Sequence, residues 1–406
     1  MRKIGRFRQN LTLPISSFIR MVNYEIYQSI KSYLLKIHMG LVSTDSFELV
    51  DLFSFTQPGI FSLPNIMGFD LFENVMSSEP SILGVIRFRR ERYFISCTSF
   101  EDRVGKIYCL VISGEITGDF RPADLAETIL KEAVLNSGYS GKILRLVYDS
   151  ANDKLTFKII PPPDITLEDI YLIDKTDLED FVDSVRIGGS SLRYLFIGEP
   201  GTGKTDTIRA IISECKKIRE NLTIFVVDAG CGVSLEVVFE FAEIFRPVLV
   251  CIDDIDLLVG SRDRTLKRDE LSTALQALDG FITKDNIFLI ATTNDRYLVD
   301  FALRRPGRFD LIIEFGCLEA EFYSTLVMRE SRDDRLAEVF KDERILKRLS
   351  SLKVTGAFLV TLVKYLSRER FRNIRYEPEA VLSAINRLYG SFKSEIKHDK
   401  VGFQNS

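Results

Sequence analysis

Apolar and polar residues follow three successive patterns along the chain, and each pattern predicts a different kind of structure. Over roughly residues 1–160, short apolar segments typical of strands surround one good helical stretch. Over 164–316, five short apolar runs with little alternation predict strands buried on both faces, with helices between them. From 317 to about 391 the apolar period is helical and strand signals are few.

The first of these parts has the composition of a small α+β module. The stretch "GVIRFRRERYFISC" predicts a hairpin that turns near Arg90 and Glu91, and residues 106–113 predict another strand. Residues 122–138 predict an amphipathic helix that ends at a glycine. The stretch "KILRLVYDSANDKLTFKII" predicts a second hairpin with Ser-Ala-Asn-Asp as its turn, and "PPP" at 161–163 indicates a linker.

The predicted fold class is therefore α/β, with a parallel-sheet core, a helical subdomain after it and a small α+β domain before it. The expected organisation is a basic arm and amphipathic helix in 1–40, an α+β domain that contacts substrate or partner in 41–163, an α/β core in 164–316, a helical lid in 317–391 and a polar tail in 392–406.

The first 24 residues are basic, since no acidic residue precedes Glu25. The helix predicted after this arm has one apolar face, formed by Ile15, Phe18, Ile19, Val22, Ile26, Ile30 and Leu34; the basic residues are Arg2, Lys3, Arg6, Arg8 and Arg20. Two interpretations stay open. The helix packs within the protein, or residues 1–36 form a targeting or membrane-surface helix and make a peripheral membrane contact.

Composition narrows the class of protein. The 406 residues are 46% hydrophobic and 28% charged, as in globular proteins, and the net charge of −4 gives no general attraction for nucleic acid. No apolar stretch reaches the length of about 18 residues that a transmembrane helix needs. The six cysteines form no CxxC pair, which favours a reducing, cytoplasmic compartment, and two histidines make a zinc site unexpected.

The segment "GEPGTGKT" at 198–205 matches the phosphate-loop pattern G-x-x-x-x-G-K-[ST] and lies between a predicted strand and a predicted helix. Glycines let backbone N–H groups turn toward phosphates, and the start of the helix adds its positive end. Lys204 is expected to reach the β- and γ-phosphates of ATP, and the Thr205 hydroxyl to bind Mg²⁺.

Polar residues follow two of the predicted buried strands. Asp253 and Asp254 end the run "VLVCIDD", and Asn294 ends "IFLIATTN". Ligands bind at the carboxyl ends of strands in such sheets, so Asp253 is expected to hold Mg²⁺ and Asp254 to face the attacking water. The amide of Asn294 can orient a water beside the γ-phosphate.

Arginines flank a Pro-Gly turn in "LRRPGRFD" at 303–310. Arg305 and Arg308 are predicted to lie on a surface loop, from which they can reach a phosphate bound by a neighbouring subunit.

Taken in order and spacing, the phosphate loop, "IDDID", "ELSTALQALDGF", "ATTN" and "ALRRPGRFD" resemble the AAA family of ATPases over roughly residues 165–390. The segment 354–366 resembles the helical subdomain of that family, whose Gly-Ala pair, here Gly356 and Ala357, lies near the nucleotide. The resemblance implies bound ATP and Mg²⁺, a protein substrate and a homo-oligomeric ring of six or seven subunits.

The resemblance also implies roles for individual residues. Asp254 is the catalytic carboxylate, Asn294 is the first sensor, and Arg305 and Arg308 act on the adjacent protomer. Thr205 and Asp253 bind the metal. The nucleotide-binding residues are Gly198, Glu199, Pro200, Gly201, Thr202, Gly203, Lys204, Thr205, Asp206, Gly356 and Ala357.

Two features depart from the family pattern. The family usually has Glu at the position of Asp254, and the shorter side chain moves the carboxylate by roughly 1–1.5 Å, which predicts slow hydrolysis. The segment "GCGVSLEVVFEFAEIFRP" has no aromatic–aliphatic–Gly loop of the kind that grips threaded chains, and Phe239 and Phe241 are predicted on a helix that faces the sheet. The translocase of the folded Rieske protein is similar in that absence.

Three functions remain in competition. The leading one is an ATP-driven remodeller of proteins. The second is a nucleic-acid motor or loader, since "RFRRERYF" at 87–94 interleaves basic and aromatic residues that can stack on bases; an ordinary hairpin at a charged sheet edge has the same pattern. The third is a nucleotide switch without hydrolysis, which rests on Asp254 alone.

Overall fold

A computed structural model describes residues 15–54, 82–102, 105–115, 121–149, 154–228, 233, 235–257, 285–294, 308–368 and 374–398. The strands in these ranges are β1 (Ile15–Val22), β2 (Glu48–Ser54), β3 (Ile82–Phe88), β4 (Glu91–Asp102), β5 (Gly105–Glu115), β6 (Ile143–Asp149), β7 (Lys154–Ile159), β8 (Leu192–Gly198), β9 (Thr223–Val227), β10 (Val248–Ile252), β11 (Ile287–Thr293) and β12 (Leu311–Phe315). The helices are α1 (Tyr24–His38), α2 (Pro122–Leu135), α3 (Thr176–Ile187), α4 (Lys204–Ile218), α5 (Leu235–Ile244), α6 (Tyr323–Ser331), α7 (Asp334–Val339), α8 (Glu343–Leu352), α9 (Gly356–Leu366) and α10 (Pro378–His398).

The chain forms two compact units that are interleaved in sequence. One unit contains Met1–Ile160 and Asn221–Val248, and the other contains Pro161–Glu220 and Leu249–Ser406. The segment 221–248, which the sequence analysis assigned to the nucleotide-binding core, therefore packs with the N-terminal residues.

The first unit contains a five-stranded antiparallel sheet in the order β1-β5-β4-β3-β2, with α1 and α2 packed on the sheet and on each other. The prediction of a helix from residue 15 onward is wrong at its start, because residues 15–22 form strand β1 and pair with β5 along their whole length. The helix begins only at Tyr24, where the Asn23 side chain accepts a hydrogen bond from the Ile26 N–H.

The same unit contains a smaller arrangement of strands, in which β6 pairs with β7 in antiparallel orientation and with β9 in parallel orientation. The ring of Phe157 on β7 stacks on Phe225 of β9 and lies edge-on to Phe241 and Phe245. This aromatic cluster and the β6–β9 pairing explain why 221–248 belongs to the first unit. Phe239 and Phe241 are buried on α5, as predicted.

In the second unit, the phosphate-loop strand is an inner strand of a parallel sheet. Strand β8 pairs in parallel with β11 on one side and β12 on the other, and β10 follows β11 in the strand order. Strands β8, β10 and β11 are buried almost throughout, which is why their sequences lack alternation.

The C-terminal part is helical, and α6 to α10 enclose one apolar core. Asp333, Asp342 and Thr355 cap the starts of α7, α8 and α9. Helix α10 continues to His398, so residues 392–398 are helical where a tail was predicted. Parallel strands with helices, a helical C-terminal part and an N-terminal antiparallel sheet together confirm the predicted fold class.

Several predictions concern residues outside the described ranges: the basic residues Arg2, Lys3, Arg6 and Arg8, the turn 150–153, the segment 270–281, Arg305 and residues 399–406. Among the helices that the structure describes, none has the length and apolar character needed to cross a bilayer. Cys109 and Cys251 are buried, whereas Cys317 is exposed.

Candidate nucleotide-binding site

The phosphate-loop segment forms a tight turn between β8, which ends at Gly198, and α4, which begins at Lys204. Gly201 and Gly203 have φ angles of 81° and 99°, in the left-handed region that glycine enters without steric cost. The loop therefore has the backbone conformation that turns N–H groups toward an anion at the start of α4.

Close packing holds the loop on two sides. A Cβ atom on Gly198 would lie 2.3 Å from the carbonyl oxygen of Phe315 in β12, and one on Gly201 would lie 2.7 Å from the Cβ of Ala357. The Ala357 N–H donates to the Gly201 carbonyl oxygen at 3.2 Å. Gly356 and Ala357, predicted to lie near nucleotide, are thus brought to the phosphate loop at the start of α9.

Lys204 is buried and its ammonium group is fully engaged. Its Nζ donates to the carbonyl oxygens of Gly198 at 2.9 Å and Glu199 at 3.0 Å, and to Oδ1 of Asn294 at 2.8 Å. Burial lowers the pKa of Lys204, while nearby carboxylates, Asp254 foremost, act in the opposite direction. A phosphate entering this site meets a cation that is already positioned by three acceptors.

The oxygen pair formed by Thr205 and Asp253 fits a magnesium ion. The Thr205 hydroxyl lies 3.0 Å from Oδ2 and 3.2 Å from Oδ1 of Asp253, and it donates to this carboxylate. Adjacent ligands of an octahedral Mg²⁺ ion with bonds of about 2.05 Å lie about 2.9 Å apart. A hydroxyl and a carboxylate at this separation suit Mg²⁺ in both ligand type and spacing.

Asp254 lies on the turn after β10, in the left-handed region with φ of 54°. Asp is among the few residues other than glycine that enter this region readily, whereas longer side chains rarely do. Its Oδ1 accepts a 2.7 Å hydrogen bond from Nδ2 of Asn294. Burial raises the pKa of Asp254, and the carboxylates of Asp253 and Asp256 add to this; Lys204 and Asn294 oppose it.

Asn294 thus joins two groups that lie far apart in sequence. Its carbonyl oxygen accepts from Lys204 and its amide nitrogen donates to Asp254. This geometry also assigns the amide orientation, because only the oxygen can accept from an ammonium group.

Two threonines that the sequence analysis did not single out donate hydrogen bonds to acidic residues after β10. The hydroxyl of Thr292 donates to Oδ1 of Asp253 at 2.7 Å and accepts from the Asp254 N–H at 2.8 Å. The hydroxyl of Thr293 donates to Oδ1 of Asp256 at 2.9 Å. Their position could have indicated this role, because they are the two polar residues that end the otherwise apolar strand "IFLIATT".

A cavity of about 850 Å³ opens over the loop, within the size range of nucleotide and cofactor sites. Its wall includes the phosphate loop, Asp254, Asn294, the start of α9 and residues 169–173. Arg329 from α6 also lines it; one guanidinium nitrogen donates to the Asp169 carbonyl oxygen at 3.1 Å, and the group lies 5.0 Å from the Tyr171 ring. Sequence reasoning missed this contact, since no motif marks it.

The remaining loop residues are placed as follows. Pro200, Thr202 and Asp206 line the cavity, and Thr202 donates its hydroxyl to the Glu199 carbonyl oxygen at 2.8 Å. Asp206 also pairs with Arg209 at 3.2 Å on the exposed side of α4.

Arg308 is buried, with 1% of its surface exposed, so the prediction of an exposed position on a surface loop is wrong for this structure. Two residues later, Asp310 accepts hydrogen bonds from the backbone N–H and the guanidinium of Arg193 at 2.9 to 3.2 Å. These bonds fix the chain on β8 and hold the segment against the sheet. The predicted role of Arg308 in a neighbouring subunit stays a prediction.

The hairpin "RFRRERYF" offers little for base stacking. Phe88 and Tyr93 are buried, and Phe94 alone of its three aromatic residues is exposed, at 65%. Arg87 pairs with Glu48, and Arg89 pairs with Asp124 at 3.1 Å. These contacts match an ordinary hairpin, although β3 and β4 are inner strands of the five-stranded sheet and not its edge.

A glycine-rich loop between a buried parallel strand and a helix, with a carboxylate and an amide at the ends of nearby strands, defines a P-loop nucleotide-binding protein. Residues 194–317 match the family model "ATPase family associated with various cellular activities (AAA)". This part of the chain is therefore an AAA domain.

Curated relatives match parts of the chain. ATPase family AAA domain-containing protein 2B of Homo sapiens is 33% identical over 163 residues, 37% of this chain and 11% of its own length. ATP-dependent zinc metalloprotease FtsH of Clostridium perfringens is 30% identical over 237 residues, 55% of this chain and 32% of its own length.

A third relative, of Arabidopsis thaliana, is named probable inactive ATP-dependent zinc metalloprotease FTSHI 5, chloroplastic. It is 28% identical over 206 residues, 47% of this chain and 16% of its own length. The chain spans 11% to 32% of the length of these three relatives.

Proposed function

We propose that this protein hydrolyses ATP in the presence of Mg²⁺ and couples hydrolysis to remodelling, disassembly or translocation of proteins, as a homo-oligomeric ring in a reducing compartment. The observation that carries the proposal is the chain of hydrogen bonds at the cavity wall, from Lys204 through Asn294 to Asp254. Beside it lies the Thr205–Asp253 pair, whose spacing suits a divalent ion.

Each group has a distinct part in such a reaction. Lys204 neutralises charge on the terminal phosphates, and the backbone N–H groups of the loop hold them in place. Thr205 and Asp253 would hold Mg²⁺, which supplies electrostatic stabilisation of the phosphate oxygens. Asn294 fixes the direction of the Asp254 carboxylate and can orient water in the same space.

Asp254 is suited to accept a proton from the attacking water. Asp254, on a turn beside Asp253, lines the same cavity as the phosphate loop, which supports this role. Burial and the neighbouring carboxylates raise its pKa, which makes it a stronger base than an exposed aspartate.

The test is steady-state ATP hydrolysis measured against protein concentration, for the wild type, Lys204→Ala and Asp254→Asn. Turnover per chain is expected to rise with concentration if a neighbouring subunit completes the site. Lys204→Ala should lose both binding and turnover. Asp254→Asn should keep binding but lose turnover by about a hundredfold or more, because a basic carboxylate is replaced by a neutral amide.

Asp254→Asn also provides the matched control for assembly, since it can hold ATP without consuming it. Sedimentation of this variant with ATP is expected to show six or seven chains per particle. A monomer at every concentration, with turnover independent of concentration, would contradict the ring.

The second candidate is a nucleotide switch with little hydrolysis. It is favoured by Asp254 in place of the longer Glu, and by the relative named probable inactive. Tight ATP binding by the wild type without turnover at any concentration would select this function over the first.

The substrate is proposed to be a protein, since one relative carries the name of an ATP-dependent metalloprotease. We also propose a relationship to the translocase of the Rieske protein, and a peripheral membrane contact through residues 1–36. The buried aromatic residues of the β3–β4 hairpin and the net charge of −4 give a nucleic-acid motor no support.

A further inference from the structure

We propose that Thr292 is a positioning residue that sets both carboxylates of the Asp253–Asp254 turn, an inference that rests on the proposed function. Thr292 is the next-to-last residue of β11 and is completely buried. It acts through Asp253 and Asp254 and is not among the residues that line the described part of the cavity.

The Thr292 hydroxyl makes two contacts with consecutive residues of the turn. It donates its proton to Oδ1 of Asp253 at 2.7 Å and accepts the backbone N–H of Asp254 at 2.8 Å. The backbone N–H of Asp254 can only donate, so the hydroxyl oxygen of Thr292 accepts from it. The single hydroxyl proton of Thr292 is then available for the carboxylate of Asp253. One side chain thereby defines a carboxylate orientation and a backbone position at once.

The first contact decides which oxygen of Asp253 is left for other ligands. With Oδ1 bonded to Thr292, Oδ2 lies 3.0 Å from the Thr205 hydroxyl. Rotation of the carboxylate would break the short Thr292 bond, so the oxygen pair suited to Mg²⁺ depends on Thr292.

The second contact holds the left-handed residue of the turn. Asp254 has φ of 54°, and its N–H points to Thr292 while its side chain meets Asn294. Without an acceptor at Thr292, this partly buried N–H loses its partner and the turn is free to change conformation.

The adjacent Thr293 offers a control within the same strand. It is also completely buried and donates one hydrogen bond to a carboxylate, that of Asp256. Successive residues of a strand point to opposite faces, so the Thr293 hydroxyl bonds to Asp256, whereas that of Thr292 bonds to Asp253 and Asp254. Asp256 is not among the residues that line the described part of the cavity.

The experiment compares Thr292→Val, Thr292→Ser and Thr293→Val in the full chain by three readouts. These are the kcat and KM of ATP hydrolysis, the affinity for a fluorescent ATP analogue with Mg²⁺ and with EDTA, and the melting temperature. Valine keeps the shape of threonine but removes the hydroxyl, and serine keeps the hydroxyl. Thr292→Cys, whose thiol is a weak donor and acceptor, serves if the valine variant does not fold.

Thr292→Val is expected to lower kcat by about a hundredfold, as a displacement of about 1 Å can do, with little change in KM. It should reduce the Mg²⁺-dependent gain in affinity by about tenfold and leave affinity in EDTA within about twofold of wild type. Thr292→Ser should restore both. Thr293→Val should lower the melting temperature but keep kcat and the Mg²⁺ gain.

The inference is overturned if Thr292→Val, or Thr292→Cys in its place, keeps both kcat and the Mg²⁺ gain. It is equally overturned if Thr293→Val loses them to the same extent, or if the wild type shows no Mg²⁺ gain. If the wild type binds ATP with a Mg²⁺ gain but does not hydrolyse it, the proposed hydrolysis fails while the binding readout still tests Thr292.

Discussion

Single residues at this site are selected by backbone conformation as much as by chemistry. Gly201 and Gly203 share a left-handed φ, but a Cβ on Gly201 would meet Ala357 whereas the space around Gly203 is open. Asp254 also has a left-handed φ, which a short polar side chain such as that of Asp adopts more readily than a longer one. This is a local reason for Asp at a position where the family usually has Glu.

Gly201→Ala and Gly203→Ala are expected to differ in stability although both introduce the same methyl group. Each loses about 1–2 kcal/mol of free energy of unfolding from the left-handed backbone. Gly201→Ala loses about 1–3 kcal/mol more, because its Cβ would lie 2.7 Å from the Cβ of Ala357. Urea denaturation of the two variants measures the difference.

The double variant Gly201→Ala/Ala357→Gly isolates the steric part of that loss. The double variant should regain the extra free energy of unfolding that Gly201→Ala loses relative to Gly203→Ala. A part of this gain is offset by the cost of a glycine in the first turn of α9. No recovery would show that the phosphate loop and α9 do not contact each other as described.

Among the elements, the short helices of the C-terminal part depend on their caps. Asp333 accepts from the N–H groups of Arg335 and Leu336 at the start of α7, and its other oxygen accepts from Tyr376 and Arg375. Asp342 caps α8 in a more exposed setting, where it pairs with Arg344.

Asp333→Ala is therefore expected to lower the free energy of unfolding by about 1–2 kcal/mol through the lost cap alone. Arg375, left without its carboxylate partner, adds to the loss. Asp342→Ala is the control and should cost less, since water can replace an exposed cap. Equal melting temperatures for the two variants would contradict this ranking.

The pH dependence of that contribution follows from the pKa of Asp333. Burial acts to raise this pKa, but the Tyr376 hydroxyl, the capping N–H groups and Arg375 bring it below its ordinary value of 3.8. The contribution is then complete above pH 3.8 and is lost as the pH falls through the lower pKa of the folded protein. The difference between wild type and Asp333→Ala should shrink in that window.

At the scale of the whole molecule, each of the two units is built from separate segments of the chain. Strand β9 and helix α5 lie between β8 and β10 in sequence, yet they belong to the unit that contains β6 and β7. A boundary at residue 163, where the prolines indicate a linker, separates β9 from its partner β6.

A chain reduced to residues 164–406 is accordingly expected to aggregate or to melt well below one that begins at residue 139. The shorter chain exposes the edge of β9 and the aromatic rings that pack on Phe157. Solubility and thermal denaturation of the two chains provide the test. Equal solubility and melting temperature would favour the boundary drawn from sequence.

Much of the core could be predicted from sequence because its signals are local. The run "IFLIATT" predicts the bounds of β11, and "GEPGTGKT" predicts the turn between β8 and α4. Residues 15–22 were misassigned because their apolar spacing suits either a helix or a strand, and only pairing with β5 decides between them.

For the candidate site, motifs indicated residue types and their order, while long-range contacts decided the arrangement. Lys204 and Asn294 were identified from sequence, but their direct hydrogen bond depends on neighbouring strand ends. Arg329 lies in no motif, and Thr292 lies in "ATTN" without a role that the motif assigns to it. The burial of Arg308 follows from packing that a Pro-Gly turn does not specify.

By itself, the sequence determined the phosphate loop, the buried parallel strands and the helical C-terminal part, because glycine conformation and apolar period act over a few residues. Only the tertiary structure decided that 221–248 packs with the N-terminal unit and that Thr292 meets Asp253 and Asp254. The physical reason is that strand pairing and buried hydrogen bonds join residues far apart in the chain, and their partners have no signature in local sequence.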